Sequence, residues 1–321
     1  MNATQTMEIL GVSAIVSAAL ESGLIEALLE GPATAEALAK KLSLDPRATP
    51  LVLDVLVTLG FAERKGDTFA ATPSFTFIAT KGPGGQGMLF SLWRHAPTFL
   101  RKGEPFARMD ATPAERDAAY KNVVAGLGRM FEGPARELAA RVCERVARRD
   151  TILDVGCGSG IWSLSVAEKT PGARVTGLDL PAVLAAFEER ARSLGLMERC
   201  STISGDMHAA AIPPKAFDLA VIANVLRLEQ PSQAASLIRK VAASLRDDGA
   251  LLIIDALAGG TYEKELGRGV YAFHLAMRSQ GGRVHPPDEV REWLRDAGLS
   301  SIETIDLEGP AGGHAAMLAR R

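Results

Sequence analysis

Apolar positions recur at two different periods along this chain, and the change of period divides it. In residues 1–82 the spacing is that of amphipathic helices. These are Met7–Glu21, Leu24–Leu29 after Gly23, Ala35–Lys41 behind the capping residue Thr34, and Arg47–Leu59 behind Asp45-Pro46. Asp45 reads as an N-cap followed by proline in the first turn. Phe61–Arg64 and Thr68–Thr72, joined through Lys65-Gly66-Asp67, have the look of two short strands around a turn. Helices closed by a hairpin in this order predict a winged helix. From Pro134 onward short apolar runs alternate with helical patterns, which predicts a parallel sheet covered on both faces. Its strands are Thr151–Val155, Arg174–Asp179, Cys200–Ser204, Phe217–Asn224 and Ala250–Asp255, with helices beginning near Pro134, Gly160, Pro181, Ser232 and Pro287. Ile302–Leu307 and Ala315–Ala319 are close enough in sequence to form a closing antiparallel hairpin.

The pattern weakens in residues 83–133. After the glycine-rich break Gly82–Gly87, two helices are predicted, about Met88–Leu100 and Pro113–Met130, separated by Gly103-Glu104-Pro105. Trp93, Phe99, Phe106, Tyr120 and Phe131 fall in this stretch. A connector this aromatic suits the roof of a ligand site. The expected organisation is a winged-helix domain over 1–82, a connector and roof over 83–133, and an α/β domain over 134–321.

Composition narrows the partners. The chain has 321 residues and a formal net charge of −2, with 5% aromatic residues. Neither the charge nor the scarcity of stacking groups suits a surface held to nucleic acid by phosphates and bases. The third helix, where a winged helix reads DNA, has no lysine, and its one arginine (Arg47) stands in the first turn. Dimerisation or packing is the expected role of this domain. Three cysteines without a Cys-x-x-Cys suit a reducing compartment, and a cytoplasmic location is expected. The best apolar run, Ile9–Leu20, is shorter than the ~20 residues of a membrane span, so no membrane partner is expected. No His/Cys/acid cluster has metal-ligand spacing.

The candidate chemistry lies at the carboxyl ends of the predicted strands, where open α/β sheets bind ligands. Asp154-Val155-Gly156-Cys157-Gly158-Ser159-Gly160 reads as strand end, tight turn and helix start. Glycine permits the positive φ angles and a close backbone approach. The spacing is Gly-x-Gly-x-Gly, unlike the dinucleotide fingerprint, and it is headed by an acid. Asp154 would repel a pyrophosphate and attract an ammonium or sulfonium, which points to S-adenosylmethionine over NAD. Asp179 ends the second strand, beside Leu180, and can accept from both ribose hydroxyls. Gly205-Asp206-Met207 follows the third strand, offering an acceptor to the adenine amino group and a thioether to its ring. Asn224 ends the fourth. The cofactor contacts expected are therefore Asp154, Gly156, Gly158, Gly160, Asp179, Leu180, Asp206, Met207 and Asn224.

Taken together, Leu153–Gly160, Gly177–Pro181, Gly205-Asp206-Met207 and Asn224-Val225-Leu226 resemble the small-molecule O-methyltransferases of plant and bacterial secondary metabolism. The resemblance spans nearly the whole chain. It implies a class I methyltransferase domain, a winged-helix dimerisation domain, a homodimer and a small-molecule acceptor. It also marks a departure. The family pattern after Val-Leu is a histidine that deprotonates the acceptor, and here that position is Arg227, which cannot serve as a base. A supporting glutamate of the family is replaced by Val284. Three readings follow. Arg227 holds an acceptor that is already acidic; or His274 or His285 is the base; or the fold binds the cofactor without transferring its methyl. Outside enzymes, a cofactor-sensing winged-helix regulator is the competing reading.

Overall fold

A computed structural model describes residues 2–73, 87–106, 124, 128, 130–257, 259–279, 281–307 and 313–321. The chain divides into two compact units, Met1–Arg94 and His95–Arg321. The boundaries expected at residues 82 and 133 fall on either side of this division. The second connector helix, Tyr120 and the linker between the closing strands lie outside the described residues, apart from isolated positions.

In the first unit, α1 (Ala3–Glu21) begins earlier than its periodicity indicates. Asn2 caps it, exchanging hydrogen bonds with Gln5 in a capping box, so the polar first turn is helical without an apolar face. Helices α2 (Leu24–Glu30), α3 (Ala35–Leu42) and α4 (Ala48–Thr58) follow. Thr34 caps α3 through a 3.1 Å bond from the Ala37 amide. The Asp45 carboxylate accepts from the amides of Arg47 and Ala48 and sets the start of α4. A two-residue strand β1 (Ala33–Thr34), which the sequence reading lacks, pairs with the hairpin β2 (Ala62–Lys65) and β3 (Thr68–Ala71) in the order β1-β3-β2. Leu24, Ile25, Leu28, Leu38, Leu53, Leu56 and Phe69 form its core. The amino-terminal part of α1, Ala3–Ala14, is left out of that core on all sides: Met7, Ile9 and Leu10 are exposed, Met7 by 68%.

The second unit is built on a seven-stranded sheet in the order β6-β5-β4-β7-β8-β10-β9. Its strands are β4 (Thr151–Val155), β5 (Arg174–Asp179), β6 (Cys200–Ser204), β7 (Phe217–Ala223), β8 (Leu245–Asp255), β9 (Ser301–Asp306) and β10 (Ala315–Arg320). The first five pair in parallel, and β10 runs antiparallel between β8 and β9. Alternate side chains go to opposite faces, as the pleat requires. Ile152, Val175, Leu219, Val221, Leu252 and Ile254 join one core with α6 (Glu132–Arg145), α7 (Ile161–Glu168) and α8 (Pro181–Ser193). Leu153, Leu178, Ala220, Ile222, Leu251 and Ile253 join the other with α9 (Pro231–Ser244) and α11 (Pro287–Asp296). Because both faces are covered, the strands read as continuous apolar runs, and their carboxyl ends are left to form a site. Two further helices complete the described chain, α5 (Gly87–Lys102) and α10 (Tyr262–Ala276).

Candidate active site

The glycine loop has the backbone that its sequence demands. Gly156, Gly158 and Gly160 have φ of 65°, 54° and 67°, the left-handed region open to glycine. A Cβ on Gly156 would stand 2.5 Å from Val225 Cγ2, and one on Gly160 2.5 Å from Phe187 Cδ2. The loop is therefore pressed against β7's exit on one side and against α8 on the other. Two amides, Gly156 and Cys157, donate to the Leu178 carbonyl, and the Gly158 amide donates to Asp179 Oδ2 at 2.8 Å. Asp179 Oδ1 accepts from the Leu180 amide at 2.7 Å. Both carboxylate oxygens are thus held by backbone amides.

Beside this loop opens a cavity of about 1020 Å³, counting its open mouth, within the second unit. Seven of the nine expected cofactor positions line it: Gly156, Gly158, Asp179, Leu180, Asp206, Met207 and Asn224. Asp154 and Gly160 do not. Gly160 serves the packing of α8 on the loop. Asp154 is 1% exposed, and its carboxylate accepts from the Ser163 hydroxyl on α7. Burial raises its pKa to about 7; the Ser163 bond opposes the rise and the nearby Asp179 charge adds to it. The direct attraction for a cationic ligand expected of Asp154 is corrected accordingly: the residue braces the loop from below. Asp206 is exposed and closes a turn by accepting from the His208 amide at 2.8 Å.

Past β7 the chain turns sharply. Asn224 takes φ 60°, a conformation that asparagine tolerates, and its amide donates to the Ile254 carbonyl at 2.7 Å. Arg227 follows in a single 3₁₀ turn, Leu226–Leu228. It is 7% exposed yet lines the cavity, and so is no solvated surface charge. Its Nη1 donates to Asp255 Oδ1 at 3.2 Å and also to Asn224 Oδ1. Its backbone amide donates to Asp255 Oδ2, and its guanidinium carbon lies 5.2 Å from the centre of the Tyr271 ring. His314 completes the group, with Nε2 3.1 Å from Asn224 Oδ1.

Neither histidine proposed as a base lines this cavity. His274 is half-buried on α10. Its pKa is lowered to about 3, first by burial and then by the charges of Arg278 and Arg227, which leaves a feeble proton acceptor. His285 is buried, not exposed as its neighbours Val284 and Pro286 suggest. Its Nε2 lies 2.9 Å from the Leu226 carbonyl and 3.1 Å from that of Glu229. With two carbonyls to satisfy, that nitrogen carries the proton, and the ring pins the turn that presents Arg227.

Residues missed in the sequence complete the wall and its support. Asp255 ends the fifth parallel strand, so the rule that flagged the other strand ends would have found it. Tyr271, His314 and the buried Glu229 carried no signal at their own positions. Among the described residues no group of three or more His, Cys, Asp or Glu side chains could hold a metal ion.

A doubly covered sheet closed by an antiparallel hairpin, with a left-handed glycine loop facing an acid at the next strand end, defines a class I methyltransferase. Comparison with known proteins agrees at the level of family. Residues 137–300 match the O-methyltransferase domain and residues 4–77 the O-methyltransferase dimerisation domain. The chain belongs to the O-methyltransferase family, and its cofactor is S-adenosylmethionine. It is 28% identical to acetylserotonin O-methyltransferase of Rattus norvegicus, over 97% of this chain and 74% of the relative. It is 27% identical to 3-hydroxy-5-methyl-1-naphthoate 3-O-methyltransferase of Streptomyces sahachiroi, over 92% and 88%. The structure of human N-acetylserotonin methyltransferase in complex with S-adenosylmethionine superposes with a TM-score of 0.69 at 20% identity, covering 100% and 99% of the two chains.

Proposed function

We propose that this enzyme methylates an acidic hydroxyl of a small, natural-product-like acceptor without a histidine base. The observation that carries the reading is Arg227, buried in the cavity wall, where no described lining residue is a histidine. The cofactor supplies an electrophilic methyl on its sulfonium. Asp179 would hold the ribose hydroxyls, while Asp206 and Met207 face the adenine. Gly156 and Gly158 leave room for the rest of the cofactor against the loop. Arg227 stays protonated at any working pH. Fixed by Asp255 and Asn224, it favours the ionised form of an acceptor hydroxyl nearby, and binding in the one cavity then supplies proximity. Relatives named for acetylserotonin and for 3-hydroxy-5-methyl-1-naphthoate support an aromatic hydroxyl as the acceptor class.

The kinetic test uses a series of substituted phenols or naphthols, followed by S-adenosylhomocysteine release. The midpoint of the pH–rate profile should move with the acceptor's own pKa. A midpoint fixed near 6.5 for every acceptor would instead reveal a protein imidazole as the base. For cofactor binding, Asp179→Ala should weaken S-adenosylhomocysteine by about 100-fold or more in calorimetry, the worth of two hydrogen bonds to a charged acceptor. Unchanged affinity would remove Asp179 from the site.

The dimerisation-domain match and the exposed apolar residues of α1 support a homodimer formed through the first unit; a cytoplasmic location without a nucleic-acid partner belongs to the same reading. By length and composition α1 would pass for a membrane span. Its place within the dimerisation match favours a protein partner. Analytical ultracentrifugation of Leu10→Glu, expected to be monomeric where the wild type is dimeric, tests this.

A further inference from the structure

Glu229 stands in the same cavity wall, two residues beyond Arg227. It is 4% exposed, and its carboxylate is only half satisfied. Oε2 lies 3.0 Å from His208 Nε2, whereas Oε1 is buried with no hydrogen-bond partner among the described residues. Leaving one oxygen of a buried carboxylate unmatched is costly, so a missing donor is the natural explanation. The place of Glu229 in the wall says what that donor is. Its partner His208 follows directly on Asp206-Met207, and the segment is fixed from behind, since Lys240 Nζ on α9 donates to the carbonyls of Met207 and His208 at 2.9 and 2.7 Å. The turn bearing Glu229 is fixed as well, because its own carbonyl lies 3.1 Å from His285 Nε2. Two fixed segments thus meet in the cavity wall through the His208–Glu229 contact, each bringing a carboxylate. Of the two, Asp206 is exposed to water and already spends Oδ1 on its turn.

We propose that Glu229 is the residue that reads the 6-amino group of the cofactor's purine, with His208 holding its carboxylate in place. The proposal rests on the reading that the adenine lies against Asp206 and Met207. A 6-amino group carries two N–H donors and no competing negative charge. It suits the unmatched oxygen in a way that an acidic acceptor hydroxyl, repelled once ionised, does not. The enzyme would therefore select adenine over 6-oxopurines by an acceptor that sequence reading assigns to Asp206.

The test is a binding cycle by calorimetry with two ligands, S-adenosylhomocysteine and its analogue carrying hydrogen in place of the 6-amino group. Wild-type protein should prefer the amino form by about 10- to 100-fold, the range for a hydrogen bond to a charged acceptor. In Glu229→Leu that preference should collapse towards unity, with the affinity for the analogue unchanged. Preference retained in full would transfer the amino group to Asp206 and overturn the proposal. Equal weakening of both ligands would also overturn it, by showing a structural role alone. Should Glu229→Leu fail to fold by circular dichroism, Glu229→Gln decides: a reduced preference supports the proposal and an unchanged one sinks it. Failure of the wild type to bind either ligand would be a different result, directed at the cofactor reading itself.

Discussion

Two aspartates at opposite ends of one sheet are equally hidden and behave in opposite ways. Asp154, at the carboxyl end of β4, and Asp218, near the amino end of β7, are both 1% exposed. Asp218 accepts from the Thr151 amide and hydroxyl at 2.9 and 2.8 Å and from Arg246 at 2.6 Å, with Arg148 at 3.2 Å. Burial alone would raise its pKa, but the bonds from Arg246 and Thr151 prevail and lower it. Asp154 has the Ser163 hydroxyl and backbone, no cation among the described residues is paired with it, and its pKa rises to about 7. The same fold therefore gives Asp218 cations at the structural rim and starves Asp154 of them at the rim that must receive a ligand, where Asp179 is held by backbone amides. Glu229, with its unmatched oxygen, belongs to the second pattern.

Arg227 and Asp255 are the apparent exception, a buried pair at the starved rim, and breaking them should give the largest effect. Both side chains are more than nine-tenths buried. Arg227→Leu should cost about 3–5 kcal/mol in urea unfolding, because Asp255 is left buried without its cation. Replacing both, in Arg227→Leu with Asp255→Leu, should recover much of that loss while activity stays low. If the double variant regains both stability and turnover, Arg227 is architecture and the acceptor reading fails.

This contrast marks how far the sequence could be read. Strand ends, the glycine loop and Asp179 were legible because each is a local device, a turn chemistry or a period, written in consecutive residues. That the sheet is mostly parallel and closes with an antiparallel hairpin followed from the same periods, whereas the order of its strands did not. What escaped depends on side chains meeting from distant segments. Arg227 looks like a surface charge in Val225-Leu226-Arg227-Leu228-Glu229, and only Asp255 and Tyr271 make it a buried one. His285 looks exposed beside Pro286, yet two carbonyls 59 and 56 residues away hold it inside. Asp154 heads the loop in sequence, but the pleat and α7 turn its carboxylate under the loop.

At the saturated rim, Asp218→Asn should cost about 2 kcal/mol, with Arg246 and Arg148 losing their carboxylate while being partly open to water. S-adenosylhomocysteine affinity should not change. A loss of ligand binding comparable to that of Asp179→Ala would mean that the two rims are not independent, and the comparison would break there.

The smallest effect is the most pointed, because its sign differs between the two acids. A depressed carboxyl pKa, as for Asp218, adds stability above the ordinary value of 3.8 that is lost as pH falls through the folded pKa. Asp154 runs the other way. With 3.8 raised to about 7, the folded state holds its proton longer than the unfolded chain does. The stability contributed by that proton is present in full at low pH and is lost as pH rises from about 4 to 7. An amide at 154 cannot ionise and still accepts from Ser163. Asp154→Asn should therefore already be ahead of wild type at pH 5, gain further on it up to about pH 7 and level off above that. His274, with a pKa lowered from 6.5 to about 3, destabilises both proteins alike on acidification, so it cancels in the difference. Urea unfolding of the pair at pH 5, 6.5 and 8 reads the slope directly. A flat difference would mean that Asp154 ionises as freely as a surface acid and that this rim is not starved at all.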